Sequence, residues 1–168
     1  MPPRPFRLGR SRTGLGLFAT RPIKKRTRIA EYKGPILDLK EAERAERRGN
    51  RYLYEVSKHR TIDGKSHGNI ARYFNHSCNP NSESIVWRGR VFVKTLRDIK
   101  PGEELVYDYG IDYLKNVIGK SNCLCSRCRR RRAKRARELR ALKKRREARL
   151  AAKTKSVAKK KRKAAKKK

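Results

Sequence analysis

The sequence predicts a mainly β body carrying one modest helix, followed by a basic extension that begins as a helix and then loses folded structure. Three observations point there. Short apolar runs between Thr13 and Tyr109 alternate, or are broken every few residues by Gly, Pro, Asn or Asp, which is the punctuation of strands and turns. Only the stretch that begins at Asp38 combines a polar start with a glycine stop in the manner of a helix. After Cys128 the text changes abruptly to Lys, Arg and Ala.

Residues 1–10, with three prolines and several arginines, read as a flexible lead. The folded body follows over 11–113. Leu15-Gly16-Leu17-Phe18-Ala19 and Thr27–Tyr32 read as short strands with a turn at Pro22 between them. Asp38 caps a helix, Glu41 completes a capping box three residues later, and Gly49 ends it. Tyr52–Val56 alternates like a strand. Ser84–Trp87 and Val91–Val93 flank the turn Arg88-Gly89-Arg90, and the turn Asp98–Gly102 leads into a strand over Glu104–Tyr109. A body of this size buries only a modest core. A cysteine-bearing segment spans 114–128, and the basic tail occupies 129–168. In that tail Leu139, Leu142 and Leu150 fall near one helical face, a thin stripe for an isolated helix. From Ala151 onward the Lys/Ala text offers no apolar face, and disorder is expected.

The charge is far from balanced. Among 168 residues, 50 are Lys or Arg and 15 are Asp or Glu, a formal +35. The tail holds 23 basic and 2 acidic residues, a net +21; the remainder holds 27 and 13, a net +14. Such a field repels its own chain and attracts polyanions, so nucleic acid is the expected partner of the tail. An anionic membrane surface is the rival, but no amphipathic helix with a broad apolar face supports it. No secretory leader and no transmembrane run is present in the sequence, so an intracellular setting is expected, either cytoplasm and nucleoid or nucleus. In a reducing compartment, four cysteines point to a metal before they point to disulfides.

The most informative stretch is Gly68-Asn69-Ile70-Ala71-Arg72-Tyr73-Phe74-Asn75-His76-Ser77-Cys78-Asn79-Pro80-Asn81. Polar and aromatic residues crowd there with neither a helical nor a strand period, as in structured loops that carry function. On composition alone, Asn75, His76 and Asn79 serve equally as turn formers capping one another. The stretch closely resembles the Arg-Phe-x-Asn-His-Ser-Cys-x-Pro-Asn signature of SET-domain lysine methyltransferases. Two further blocks match in order: Gly14-Leu15-Gly16-Leu17-Phe18-Ala19, and Gly102-Glu103-Glu104-Leu105-Val106-Tyr107-Asp108-Tyr109-Gly110. Glu31-Tyr32-x-Gly34 and Tyr52-Leu53-Tyr54 match intermediate positions. The resemblance covers roughly residues 10–128.

It implies a SET fold, in which small sheets surround a threaded, knot-like active site that S-adenosylmethionine and the target lysine enter from opposite sides. It places Thr13, Gly14, Leu15, Gly16, Tyr52, Arg72, Asn75 and His76 at the cofactor, and Tyr109, Tyr107 and Tyr32 at the reacting centre. The glycines would let backbone approach a ligand, and His76 would bind and orient rather than move a proton. Methyl transfer needs a neutral amine in line with the methyl carbon, whereas a free lysine has a pKa of about 10.4. A narrow apolar channel and a neighbouring cationic sulfur both disfavour the ammonium. The residues required are therefore aromatic walls and placed hydroxyls, with orientation as the main catalytic contribution. A Tyr at 107, where the family carries Phe or Tyr, resembles enzymes that stop at mono- or dimethylation.

Cys123-x-Cys125-x-x-Cys128 together with Cys78 resembles the family's post-SET zinc site, and four thiolates suit closed tetrahedral Zn²⁺. The gap before Cys128 is two residues where four are usual, so a reduced, metal-free cluster is the alternative. Pro35 stands where an acidic residue is common, and the segment between Asp38 and Tyr52 is short. His59 and His67 read as surface residues. The expected function is S-adenosylmethionine-dependent methylation of a lysine in a histone-like or other basic protein. The alternative is a SET-fold nucleic-acid-binding architectural protein without catalysis.

Overall fold

The structure, a computed structural model, describes residues 3–165, with side chains described through 155. Its strands are β1 (Phe6–Ser11), β2 (Gly14–Ala19), β3 (Arg28–Tyr32), β4 (Ile36–Leu37), β5 (Leu53–Ser57), β6 (Arg60–Asp63), β7 (Asn75–His76), β8 (Ser82–Trp87), β9 (Arg90–Thr95) and β10 (Glu104–Tyr107). The helices are α1 (Leu39–Arg47), α2 (Ile111–Tyr113) and α3 (Ser126–Ala165), with a 3₁₀ turn at Ile70–Tyr73 and a π turn at Leu114–Ile118. The chain divides into two units, residues 1–127 and 128–168.

The first unit is mainly β, as the sequence predicts, and holds three small sheets ordered β1-β2-β10-β7, β3-β9-β8 and β4-β6-β5. Alternation decides which face of each strand is buried. Leu17 and Ala19 of β2, Val91, Val93 and Thr95 of β9, and Leu105 and Tyr107 of β10 turn inward onto Ile23, Phe74 and Ile99. The Thr95 hydroxyl is satisfied there, donating to Lys24 O and accepting from Thr27 N–H. In the β8–β9 hairpin Arg88 and Gly89 have φ of 49° and 70°, the left-handed pair that a two-residue type I′ turn requires. The capping box at α1 forms as expected. Asp38 accepts the Glu41 N–H at 2.8 Å, and Glu41 accepts the Asp38 N–H at 2.9 Å.

The amino-terminal stretch differs from expectation. The 1–10 segment, expected to be a flexible lead, is ordered from Phe6 onward as β1, paired with β2 from Phe6↔Ala19 to Ser11↔Gly14. Phe6 anchors it, buried against the core, while its arginines turn to solvent. The second unit also differs. Helix is expected only to Leu150, with disorder from Ala151; instead α3 continues to Ala165. Ala, Lys and Arg are all good helix formers, and that propensity outweighs the missing apolar face. Lys134–Glu138 and Lys143–Glu147 add i,i+4 pairs, and the three leucines stay exposed.

Candidate active site

The Gly68–Asn81 loop is tied to the strands around it by its own amides. Asn69 is buried, with Nδ2 donating to Gly64 O and Oδ1 accepting the Lys33 N–H. Asn81 acts like a piece of strand: its Oδ1 accepts the Val106 N–H and its Nδ2 donates to Glu104 O. Between them β7 pairs in parallel with β10, Asn75 opposite Val106 and His76 opposite Tyr107.

Beside this joint lies a cavity of about 960 Å³. All seven tyrosines of the chain line it: Tyr32, Tyr52, Tyr54, Tyr73, Tyr107, Tyr109 and Tyr113. Five of their hydroxyls are engaged. Tyr109 donates to Phe74 O at 2.5 Å, Tyr32 to Tyr52 O at 2.9 Å, Tyr54 to Ser84 Oγ at 2.9 Å and Tyr113 to Arg51 O at 3.1 Å, while Tyr73 pairs with His67 Nδ1 at 2.9 Å. The hydroxyls of Tyr107 and Tyr52 bond to no described residue. Tyr107 and Tyr109 are in contact at 4.9 Å between centroids with their planes tilted by 50°, and Tyr113 meets Tyr109 edge-on at 5.2 Å. Burial pushes the Tyr32, Tyr107 and Tyr109 hydroxyls well above the usual phenol pKa. They therefore stay neutral donors and acceptors at physiological pH.

The sequence-derived cofactor residues divide into two groups. Thr13, Gly14, Leu15, Tyr52, Arg72 and Asn75 line the cavity; Gly16 and His76 stand behind it. Gly14 has φ +114° and open space where a side chain would be. Gly16 is glycine for another reason, since a Cβ there would stand 2.6 Å from Glu104 Oε1 and 2.9 Å from Asn75 Nδ2. Asn75 Nδ2 is committed within the fold, donating to Leu15 O and to Glu104 Oε1. The Arg72 guanidinium lies 4.0 Å from the Tyr52 ring centroid and donates to Lys65 O, and its Nε is buried without a partner.

The His76 side chain is almost fully buried. Its Nδ1 accepts the Tyr109 N–H at 3.2 Å, so the ring proton belongs on Nε2, which faces Cys78 Sγ at 3.2 Å. Burial lowers its pKa, opposed by Asp108 at 3.6 Å. The sulfurs of Cys78, Cys123, Cys125 and Cys128 all lie within 4.8 Å of one another, Cys78 and Cys123 at 3.9 Å. A tetrahedral zinc with bonds of about 2.3 Å has sulfur–sulfur edges of about 3.8 Å, so this donor set fits a metal ion. The short Cys125–Cys128 gap is absorbed where α3 begins at Ser126, which puts Cys128 in the first helical turn.

A SET-domain profile matches residues 14–110. The chain belongs to the SET-domain family. Among its relatives, the variant-silencing SET domain-containing protein of Plasmodium falciparum is 38% identical over 128 residues, 68% of this chain and 5% of that protein. The histone-lysine N-methyltransferase NSD3 of Mus musculus is 39% identical over 124 residues, 68% of this chain and 8% of that protein. The H3 lysine-4 specific histone-lysine N-methyltransferase of Debaryomyces hansenii is 34% identical over 120 residues, 66% and 11%. The chain thus spans between 5% and 11% of the length of these relatives.

Within this SET domain the three tyrosines singled out in the sequence all line one cavity. Sequence reasoning did not single out Tyr113, Tyr54, Tyr73 or Glu104 as site residues. Tyr113 follows Tyr109 by four residues, and that clustering of tyrosines was the available signal. His67, exposed as expected, also sits on the rim through its bond to Tyr73.

Proposed function

We propose that this SET domain is an S-adenosylmethionine-dependent protein-lysine N-methyltransferase that adds one or two methyl groups to a lysine of a basic, nucleic-acid-associated protein. The observation that carries the proposal is the seven-tyrosine cavity with its single clustered centre at Tyr107 and Tyr109. Its volume is within the range of small-molecule sites, about 300–1,000 Å³. The orphaned Nε of Arg72 and the open space over Gly14 suit a polar ligand on the Thr13–Leu15 side. S-adenosylmethionine, when bound, supplies the electrophilic methyl group.

The chain's own residues do the rest. The walls of Tyr32, Tyr54, Tyr107 and Tyr113 and the cationic sulfur of a bound cofactor would disfavour an ammonium, so the incoming lysine gives up its proton to solvent before transfer. The Tyr109 hydroxyl donates to Phe74 O, which leaves its lone pairs available to accept. The unengaged Tyr107 hydroxyl takes the amine and holds its orientation. Zinc on Cys78, Cys123, Cys125 and Cys128 would act structurally, pinning the segment after Tyr113. The basic tail would bind nucleic acid through its phosphates and hold the enzyme near such substrates inside the cell, in nucleus or nucleoid. The relatives named as histone-lysine methyltransferases support a histone-like target.

The test is methyl transfer from radiolabelled S-adenosylmethionine to a panel of basic proteins, wild type against Tyr109→Phe. Labelling that the variant loses supports the proposal. Absence of labelling together with absence of cofactor binding by calorimetry would favour a non-catalytic nucleic-acid-binding protein.

A further inference from the structure

The solvent face of the β3-β9-β8 sheet has no place in the reading above. Alternation puts Trp87, Ile85 and Glu83 of β8 on that face, opposite Arg90, Phe92 and Lys94 of β9. Arg28 and Glu31 of β3 complete it, opposite Lys94 and Phe92. The only tryptophan of the chain stands here 45% exposed, beside exposed Val86 at the tip of the β8–β9 hairpin.

The charges around it fall into two sets. Arg90 is neutralised by a bidentate pair with Glu31 at 2.7 and 2.6 Å, and Lys94 pairs with Glu83 at 3.0 Å. Arg28, Arg60 and Arg88 form no ion pair with any described residue, yet all three converge on the hairpin tip. The Arg88 and Arg28 guanidiniums lie 4.8 and 5.2 Å from the Trp87 ring centroid, and Arg28 also lies 5.3 Å from Phe92. A Cβ on Gly89 would stand 2.9 Å from Arg60 Nη1, so that guanidinium lies over the turn itself. The hairpin tip thus holds unneutralised cations around an exposed indole, on a turn fixed by Arg88 and Gly89.

We propose that this hairpin face is a base-stacking site for single-stranded nucleic acid, separate from the tail. A single strand offers phosphates within reach of Arg28, Arg60 and Arg88 and bases that can join the guanidiniums already over the Trp87 ring. A duplex buries its base faces in its own stack, and an acidic peptide satisfies the arginines without stacking on the indole. The site rests on none of the catalytic residues.

Because Trp87 is the only tryptophan, its emission reports on this face, whereas anisotropy of a labelled oligonucleotide reports binding anywhere on the chain. The full chain is titrated with a single-stranded oligothymidylate, a duplex of equal length, inorganic polyphosphate of equal charge and a poly-glutamate peptide. Expected is saturable quenching of Trp87 by the single strand alone, although all four compete for the tail. The double substitution Arg28→Ala with Arg88→Ala should raise the quenching midpoint roughly tenfold or more while the tail still binds. Unchanged emission while anisotropy reports binding would overturn the proposal. Equal quenching by duplex or polyphosphate would overturn it too, as would quenching by poly-glutamate or an unshifted midpoint in the double variant.

Discussion

If the proposed methyl transfer holds, Tyr107→Phe should alter its product while leaving the fold intact, and the structure supplies the magnitude. The phenol ring is buried between Phe74 at 6.3 Å and Tyr109 at 4.9 Å, and phenylalanine keeps those contacts. The hydroxyl takes part in no hydrogen bond with a described residue, so its removal breaks none. The oxygen opens on the cavity and is not a buried unpaired group, so removing it relieves at most about 1 kcal/mol of desolvation cost. Stability should therefore stay level or rise by about 1 kcal/mol, a Tm change of about 0 to +4 °C. Function responds differently. On the proposed function, once the amine carries a methyl group its remaining N–H would donate to the Tyr107 oxygen, which holds the amine in place and occupies space that a further methyl needs. A bond of about 1.4 kcal/mol sets a tenfold difference in the rate of the next methyl transfer. Intact-mass time courses of a methylated substrate should show wild type stopping at mono- or dimethyl-lysine, and the variant advancing at least one state further at about tenfold greater relative rate. An unchanged product ratio would refute the assignment. A Tm lowered by several degrees would show instead that the hydroxyl has a structural partner.

Tyr109→Phe leaves the Phe74 carbonyl without its donor and should cost about 1–3 kcal/mol by urea denaturation, in contrast to Tyr107→Phe. Gly64→Ala places a Cβ 2.3–2.4 Å from the Tyr32 ring; overpacking of this kind costs about 1–3 kcal/mol, and turnover should fall as the ring is driven into the cavity. Chelation should abolish activity and raise the rate at which Cys78, Cys123, Cys125 and Cys128 are alkylated; equal alkylation rates with and without chelator would count against a bound metal. Raised tyrosine pKa values predict a direction with pH. Unfolded phenols ionise near pH 10, whereas Tyr32, Tyr107 and Tyr109 in the fold resist ionisation to higher pH. The unfolded chain therefore releases protons first. Urea midpoints should be insensitive to these groups below about pH 9 and should fall as pH rises past about 10, less steeply in Tyr107→Phe.

Local rules made part of this fold legible. The Asp38–Glu41 box, the Arg88-Gly89 turn and the alternation of β2, β9 and β10 each depend on residues a few positions apart, and each forms as read. What stayed hidden depends on distant partners. β7 is two residues long and exists because Val106 and Tyr107 lie alongside it, some thirty residues later in the chain. β1 reads as a lead because prolines and arginines mask a strand whose one core contact is Phe6. The site was legible as a set of residues through the resemblance of its motifs, but the reasons behind some of them were not. Gly16 is dictated by the side chains of Asn75 and Glu104, and no spacing rule within its own segment announces that.

The motif loop and the tyrosine strand form one hydrogen-bonded unit, and this explains why the loop carries so many polar side chains. Three of them terminate groups on the β10 segment: Asn75 at the Glu104 carboxylate, Asn81 at Glu104 O and Val106 N–H, and His76 at the Tyr109 N–H. The Ser77 N–H adds a backbone bond to Tyr107 O at 2.9 Å. Leu105 holds the strand in the core, and these polar partners fix the part that leads into the two cavity tyrosines. His76 carries this one step further, because the ring that receives the Tyr109 N–H presents its other nitrogen to Cys78. A thiolate there accepts the Nε2 proton and locks the tautomer that leaves Nδ1 free to accept. A neutral thiol is a weaker acceptor and holds that tautomer less firmly. A metal held at the cysteines would fix Cys78 as thiolate and so reach the backbone of Tyr109 through a single side chain.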